Sequence, residues 1–536
     1  MLFNSYVFLL AFLPATLIGF HLTGRFGRDA ALLWLIAASL VFYAWWRPLN
    51  VLLIAPSILI NYAIARALLR VAAPRPRLAR VLLLGGILFN IAFLGYFKYA
   101  LFLTSVAHDV FGTNRLLTAV VLPLGISFIT FQKIAFLVDV HGGRISRFSL
   151  RDYALFVLFF PQLVAGPIVH YREMMPQFHA APCRCRAEDL AVGASLFCFG
   201  LFKKGILADQ IATYVSPLYA AAAGGAHPAL LDAWLAALGF TLQIYFDFSG
   251  YTDMALGLAR CFGIRLPMNF NSPLRATSII EFWLRWHVSL TRFLTAYIYN
   301  PLSLALTRRR LARGKAVIGR RTTPAAFVTL LLFPTLLTMF LSGLWHGAGY
   351  QYVLWGVLHG VFLCINHGWR LLRTRLWPKA RRGTWPGTAA GFTLTFLAVV
   401  AAMALFRAPT VGTALRLWGG MAGLNGTTLP EAIYAHLGPL PAALGILPDW
   451  SGGAQSLEAW AWTAVLLAIA LGLPNTLHLL AAHEPALGVK PQAGAGWLAR
   501  RLQWTPSAAW AVGLAVLGAA GFLSLGRLSE FLYWQF

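Results

Sequence analysis

Read from its amino terminus, the chain alternates between apolar stretches of about 17 to 25 residues and short connections rich in arginine. A helix of that length crosses a hydrocarbon core of about 30 Å, so the pattern predicts a polytopic all-α membrane protein. Spans are expected near 2–22, 30–47, 49–70, 81–103, 117–139, 150–168, 190–217, 232–260, 325–345, 349–371, 387–407, 459–481 and 507–525. Pro123 and Gly125 interrupt the fifth, which therefore reads as a re-entrant or broken helix held inside protein. The opening MLFNSYVFLLAFLPATLIGF lacks a basic leader and a small-residue cleavage site, so it is expected to be a retained span that starts outside. Residues 1–536 read as a single membrane domain.

Composition agrees with this pattern: 59% of residues are hydrophobic, 11% are charged, and mean hydropathy is +0.69. The net charge of +26 would suit a nucleic-acid binder, but its carriers sit in loops between spans. Arg66, Arg70, Arg75, Arg77 and Arg80 form one group, Arg308 to Arg321 a second, and Arg370 to Arg382 a third. The positive-inside rule puts all three on the cytoplasmic face, which accounts for the charge without nucleic acid. Residues 417–489 contain no Lys or Arg; their polar part, 423–458, carries Glu431, Asp449 and Glu458 and is assigned outside, as is the stretch 218–232. Cys183, Cys185, Cys198, Cys261 and Cys364 have neither the spacing nor the companions of a metal or redox site, so no metal is expected.

Three constellations carry candidate chemistry. In LSGLWHGAGYQYVLWGVLHG, 341–360, His346 stands between Trp345 and Gly347, and Gly349 follows. An ionisable group in an apolar span is costly and reads as functional; a buried neutral imidazole is the form a general base needs. The glycines are expected to clear room for a substrate beside it. His359 is thirteen residues on, too far along one helix to share the site unless the chain turns between them, and reads as structural. In YFDFSGYTDMALGLARCFGIRLPMNFNSPLR, 245–275, Asp247 and Asp253 are six apart and so not on one helix face. Each reads equally as a participant or as a structural acceptor paired with an arginine such as Arg260. In EFWLRWHVSLTRF, 281–293, Glu281, Arg285, His287 and Arg292 interleave with Trp283, Trp286 and Phe293, as in an amphipathic segment at the membrane surface or lining a polar cavity.

These segments, with FVLFFPQLVAGPIVHY at 156–171, FQKIAFLVDVHGG at 131–143 and SEFLYWQF at 529–536, resemble the membrane-bound O-acyltransferase family, and more closely its bacterial alginate and polysaccharide O-acetylation branch. The motif-bearing core runs from about 120 to 372. The resemblance implies a bundle of roughly 11–13 transmembrane or re-entrant helices around a central funnel or tunnel. It implies His346 as catalytic residue and His287 as its partner, with Trp345, Gly347, Asp247 and Asp253 in support. It implies no permanently bound cofactor, an acetyl-CoA or other acyl-CoA donor from the cytoplasm, and a place in the bacterial inner membrane. The expected partner is an extracytoplasmic acetyltransferase of the serine-hydrolase type, or a polysaccharide export complex. Coenzyme A carries phosphates, so Arg260, Arg265, Arg285 and Arg292, nearest the motifs, are candidates to hold it, against a purely topological reading of each. Relative to that branch, Tyr299–Pro324 is longer and strongly basic, which suits an interfacial helix or a docking segment. D-alanyl or fatty-acyl transfer to teichoic acid, lipid or protein is the alternative within the class. A transporter or flippase is the alternative outside it, although the two halves show no inverted symmetry.

Overall fold

The computed structural model describes residues 1–113, 120–180, 186–319, 322–376, 384–449, 453–489, 497–526 and 532. Helix dominates; the described strands are Thr428–Pro430 and Leu447–Asp449, a short parallel pair in the loop assigned outside. Among the described residues, seven helical segments are long and apolar enough to cross a membrane: Phe8–Phe26, Leu49–Val71, Pro76–Phe111, Ala187–Ala223, Pro324–His346, Trp385–Arg407 and Ala508–Gly526. Other expected spans take different forms. The fifth becomes Ile126–His141, launched from Gly125 in the left-handed region (φ 66°). The sixth breaks after Leu158 into Leu150–Leu158 and Phe160–Leu163, because Phe159 turns out of the helical region (ψ 107°). Leu230–Cys261 is one unbroken helix of 32 residues. Cys183 and Cys185 lie outside the described residues, as does SEFLYWQF apart from Leu532.

The chain divides into two compact units. The first comprises Met1–Phe202, Gly250–Met268 and Thr476–Leu528. Its interior is aromatic: Phe8, Phe12, Phe42 and Phe160 lie within 6.3 Å of one another, centroid to centroid. There Ala187–Phe202 crosses the end of the long helix on paired glycines. A Cβ on Gly200 would meet the Gly250 carbonyl oxygen at 2.4 Å, and one on Gly257 would meet that of Gly193 at 2.4 Å. Helices in lipid gain by such close backbone approach, since burial of apolar surface favours neither state.

The second unit comprises Lys203–Ser249, Asn269–Asn475 and Ser529–Phe536. Its centre is a helical hairpin, Pro324–His346 and Tyr350–Leu376, turned at Gly347–Gly349. Here too glycines set the contact: a Cβ on Gly356 would meet the Met339 carbonyl oxygen at 2.3 Å, and one on Gly343 that of Tyr352 at 2.2 Å. Loops assigned to one face touch one another. Leu230 N–H donates to Gly426 at 3.0 Å and Asn425 to the Pro228 carbonyl at 2.9 Å, both external by charge. On the basic side the Arg375 guanidinium donates to the Thr322 carbonyl. Within Tyr299–Pro324 the chain forms a helix, Asn300–Leu311, in which no residue is buried. Its last turn carries Arg308, Arg309 and Arg310, where cations complement the helix dipole.

Candidate active site

His346 closes the first arm of the hairpin. The helix Phe333–His346 stops there because Gly347 is extended (φ −164°, ψ 156°). A Cβ at Gly347 would lie 2.1 Å from the Tyr352 ring, and one at Gly349 would lie 2.5 Å from the Gln351 amide. The expectation that these glycines leave room for substrate is therefore corrected: Tyr352 and Gln351 fill that room, and the glycines permit the tight turn. His346 is 4% exposed and walled by rings, with Trp345 at 4.9 Å, Trp355 at 5.1 Å and Phe406 at 5.3 Å.

The fourth wall is His287, its ring centroid 6.2 Å from that of His346. The amphipathic segment is not one helix. Ile279–Arg285 ends at Trp286, and Val288–Leu294 begins from His287, whose backbone is left-handed (φ 45°, ψ 51°). A side chain with a Cβ occupies that region at a cost of about 1–2 kcal/mol, so something must hold it. Asn269 does: its carbonyl accepts from Val288 N–H at 2.9 Å, and its side-chain oxygen accepts from Ser289 N–H at 3.2 Å and Ser289 Oγ at 2.9 Å. Asn271 N–H donates to the Arg285 carbonyl at 2.9 Å, so the segment NFNSP straps the break from outside. Buried completely and packed edge-on against Phe248 at 4.8 Å, His287 has its imidazole pushed down to about 3 by loss of solvent, and is neutral at physiological pH.

Two imidazoles facing one another across an aromatic enclosure can exchange protons with a bound reactant while excluding water. His359 joins this cluster, because the chain does turn between it and His346. Its ring lies 4.7 Å from Trp355, which contacts both histidines, and it stacks on Phe282 at 6.1 Å. Sequence spacing missed Trp355, Phe406 and Asn269 as parts of the site. Phe406 arrives on Trp385–Arg407 and carries no local signal, whereas Asn269 stands in one of the motifs.

The remaining candidates are engaged elsewhere. Asp247 pairs with Lys204 at 2.6 Å, and Lys204 also meets Asp209 at 2.6 Å. Arg260 pairs with Asp189 at 2.9 Å, which corrects the suggestion that it serves Asp247 or Asp253. Asp253 is buried in the first unit, where Arg265 pairs with Glu484. Arg285 pairs with Glu281 at 2.6 Å. Burial opposes the Glu281 charge, but hydrogen bonds from Thr277 N–H and Oγ1, both 2.8 Å, and from Arg285 outweigh it and hold that carboxyl below the usual range. Arg292 is exposed. Among the described residues no group of three or more His, Cys, Asp or Glu side chains is placed to hold a metal ion.

The sequence profile described as "MBOAT, membrane-bound O-acyltransferase family" matches residues 87–318, a range that includes His287 and ends before His346. A peptidoglycan O-acetyltransferase of Helicobacter pylori is 36% identical over 80% of this chain and 81% of its own length. A Pseudomonas aeruginosa protein named as a probable alginate O-acetylase is 38% identical over 82% of this chain and 78% of its own. A teichoic acid D-alanyltransferase of Streptococcus thermophilus is 28% identical over 50% of this chain and 61% of its own.

Proposed function

Because this chain belongs to the membrane-bound O-acyltransferase family and is a multi-pass membrane acyltransferase, we propose that it moves an acetyl group from a cytoplasmic acyl-CoA across the membrane for O-acetylation of an exported polysaccharide. The observation that carries the reading is the pairing of His346 with His287 at 6.2 Å inside an aromatic enclosure. Acetyl as the acyl group follows from the two relatives named for O-acetylation, whose stated acceptors are peptidoglycan and alginate. Family membership sets aside the transporter alternative. D-alanyl transfer stays as a second reading on the Streptococcus relative, which matches about half of this chain.

In this mechanism the neutral His346 takes the proton of an acceptor hydroxyl as its oxygen attacks the thioester carbonyl. The tetrahedral intermediate collapses by breaking the carbon–sulfur bond, and the proton passes from His346 to the leaving thiolate. His287 donates to the developing oxyanion or orients the hydroxyl, and its clamped backbone keeps the ring in place during the reaction. The acceptor hydroxyl belongs to the polymer itself or to an extracytoplasmic acetyltransferase of the serine-hydrolase type, acting at the bacterial inner membrane. Membranes holding equal amounts of native chain, His346→Ala and His287→Ala are to be incubated with acetyl-labelled coenzyme A, and label counted in protein and polymer. Label with the native chain and loss of about 100-fold or more in His346→Ala is expected for a general base. Equal label in all three removes both histidines from the mechanism.

A further inference from the structure

The second arm of the hairpin, Tyr350–Leu376, carries a polar stripe that the transfer chemistry does not use. Trp355, His359, Asn366, Arg370 and Arg373 recur at helical spacing and fall on one side of the helix. His359 is 0% exposed, yet neither ring nitrogen meets a hydrogen-bond partner among the described residues. The same holds for the buried Oδ1 of Asn366 and for the indole N–H groups of Trp283 and Trp355. A buried polar group left unpaired costs about 1–3 kcal/mol, and a row of them beside an active site marks where a polar ligand completes the bonding.

The outer end of the stripe opens into a cavity of about 550 Å³ lined by Arg370, Arg373, Trp369, Ser278, Thr384 and Thr388 among others, with no acidic residue among the described lining. Gly391 shapes it: a Cβ there would lie 2.6 Å from the Thr277 carbonyl oxygen. From the cavity, Ile279–Arg285 runs beside the stripe and brings Trp283 to 5.2 Å from His359. The basic loops place this end in the cytoplasm.

Resting on the reading of an acyl-CoA donor, we propose that this cavity binds the phosphorylated nucleotide head of the donor. Arg370 and Arg373 hold its phosphates, Trp369 covers the base, and Asn366 and His359 hydrogen-bond the amides of the arm that carries the thioester to His346. The geometry suits such a molecule. At 1.5 Å per residue, Arg370 is about 16 Å from His359 along the helix, and helical side chains lean toward the amino-terminal turn, here toward His359. An extended chain advances about 3.5 Å per three bonds, so an arm of about thirteen bonds spans the distance. The four arginines nearest the motifs supply no comparable site: Arg260, Arg265 and Arg285 already face carboxylates, and Arg292 lies outside this lining. His359 acts here as a positioning residue.

The test uses the full chain in lipid nanodiscs, with binding of coenzyme A and of 3′-dephospho-coenzyme A measured by calorimetry. The native chain is expected to prefer coenzyme A. Arg370→Gln and Arg373→Gln each weaken its binding about tenfold and shrink the preference for the 3′-phosphate, since a charge-assisted contact is lost. Arg309→Gln, in the exposed basic helix, serves as control. Turnover lost in His359→Phe is expected to return in His359→Gln, which restores a donor and an acceptor. As a check independent of the arginines, Thr388→Cys is to be labelled with a maleimide, and acetyl-CoA is expected to protect it above the background of the native cysteines. Native binding with both arginine variants equal to the control, or no protection at Thr388→Cys, overturns the cavity alone. Failure of the native chain to bind coenzyme A at all overturns the donor reading, and the cavity with it.

Discussion

At the scale of the residue, His287 departs from what its neighbours prefer. Its left-handed backbone is one of three such non-glycine positions among the described residues, with Ser272 and Glu484. Strain of this kind persists where surrounding structure over-determines it, and here Asn269 supplies the determination. Asn269→Ala is therefore expected to lower kcat by about 10-fold or more, because a small misplacement of a catalytic group is costly. His287→Gly is expected to relax the backbone and still lose transfer; retention of transfer by Asn269→Ala would show that the clamp is idle, and retention by His287→Gly that the imidazole is not needed. The burial of His287 also fixes a pH dependence. Its folded pKa, about 3, is below the ordinary value of about 6.5, so the unfolded state takes up the proton first as pH falls. Stability is thus full above about pH 6.5 and declines from there toward pH 3. Melting curves from about pH 8 to pH 4.5 should show His287→Gln losing less on acidification than the native chain; equal losses would mean that His287 does not titrate this way.

At the scale of the element, glycine spacing decides which helices can meet. In the hairpin, Gly343 and Gly356 allow backbone contact that brings Trp355 against His346. Gly356→Val would push a side chain into the Met339 carbonyl, and overpacking in a close contact typically costs about 1–3 kcal/mol. The expected outcome is a lower melting temperature in detergent together with loss of transfer. Gly368→Ala, on the same helix with its nearest neighbour 3.7 Å away, should leave both near native values. Equal behaviour of the two would remove the hairpin contact from the argument. The amphipathic pattern of 281–293 marked an interfacial or cavity-lining segment but gave no sign of the break at Trp286–His287. Periodicity is a local signal, and the break is held by the distant strap at Asn269 and Asn271.

At the scale of the whole molecule, the charge of the loops predicts sidedness, and the two loops assigned outside touch one another. Leu424→Cys, in the loop assigned outside, is expected to react with an impermeant maleimide on intact cells, and Arg309→Cys only after the membrane is opened; the reverse order would invert the topology. The second unit also contains a buried charge cluster, Lys204 with Asp209 and Asp247. Lys204→Met strands two carboxylates and is expected to destabilise by about 3–5 kcal/mol, read as a fall in melting temperature. Adding Asp247→Leu should recover part of that loss, since breaking a buried pair costs more than replacing it; no recovery would argue that the pair is not the seat of the loss.

Hydropathy and the placement of arginines determined the membrane class and the helical architecture, and set the expected sidedness of the loops and the segments expected to carry chemistry. These are properties of short windows, because solvation of a side chain depends little on distant sequence. The motifs likewise held His287 and His346, each within a few residues of its recognisable neighbours. Only the tertiary structure decided what these residues meet. It paired Asp247 with Lys204, gave Arg260 to Asp189, and filled the space beside Gly347 with Tyr352. By turning the chain at Gly347–Gly349 it set His359 against Trp355, and from separate helices it brought Phe406 and His287 to His346. Those contacts join residues tens to hundreds of positions apart, and their energies depend on packing and on desolvated pairing, which no local window encodes.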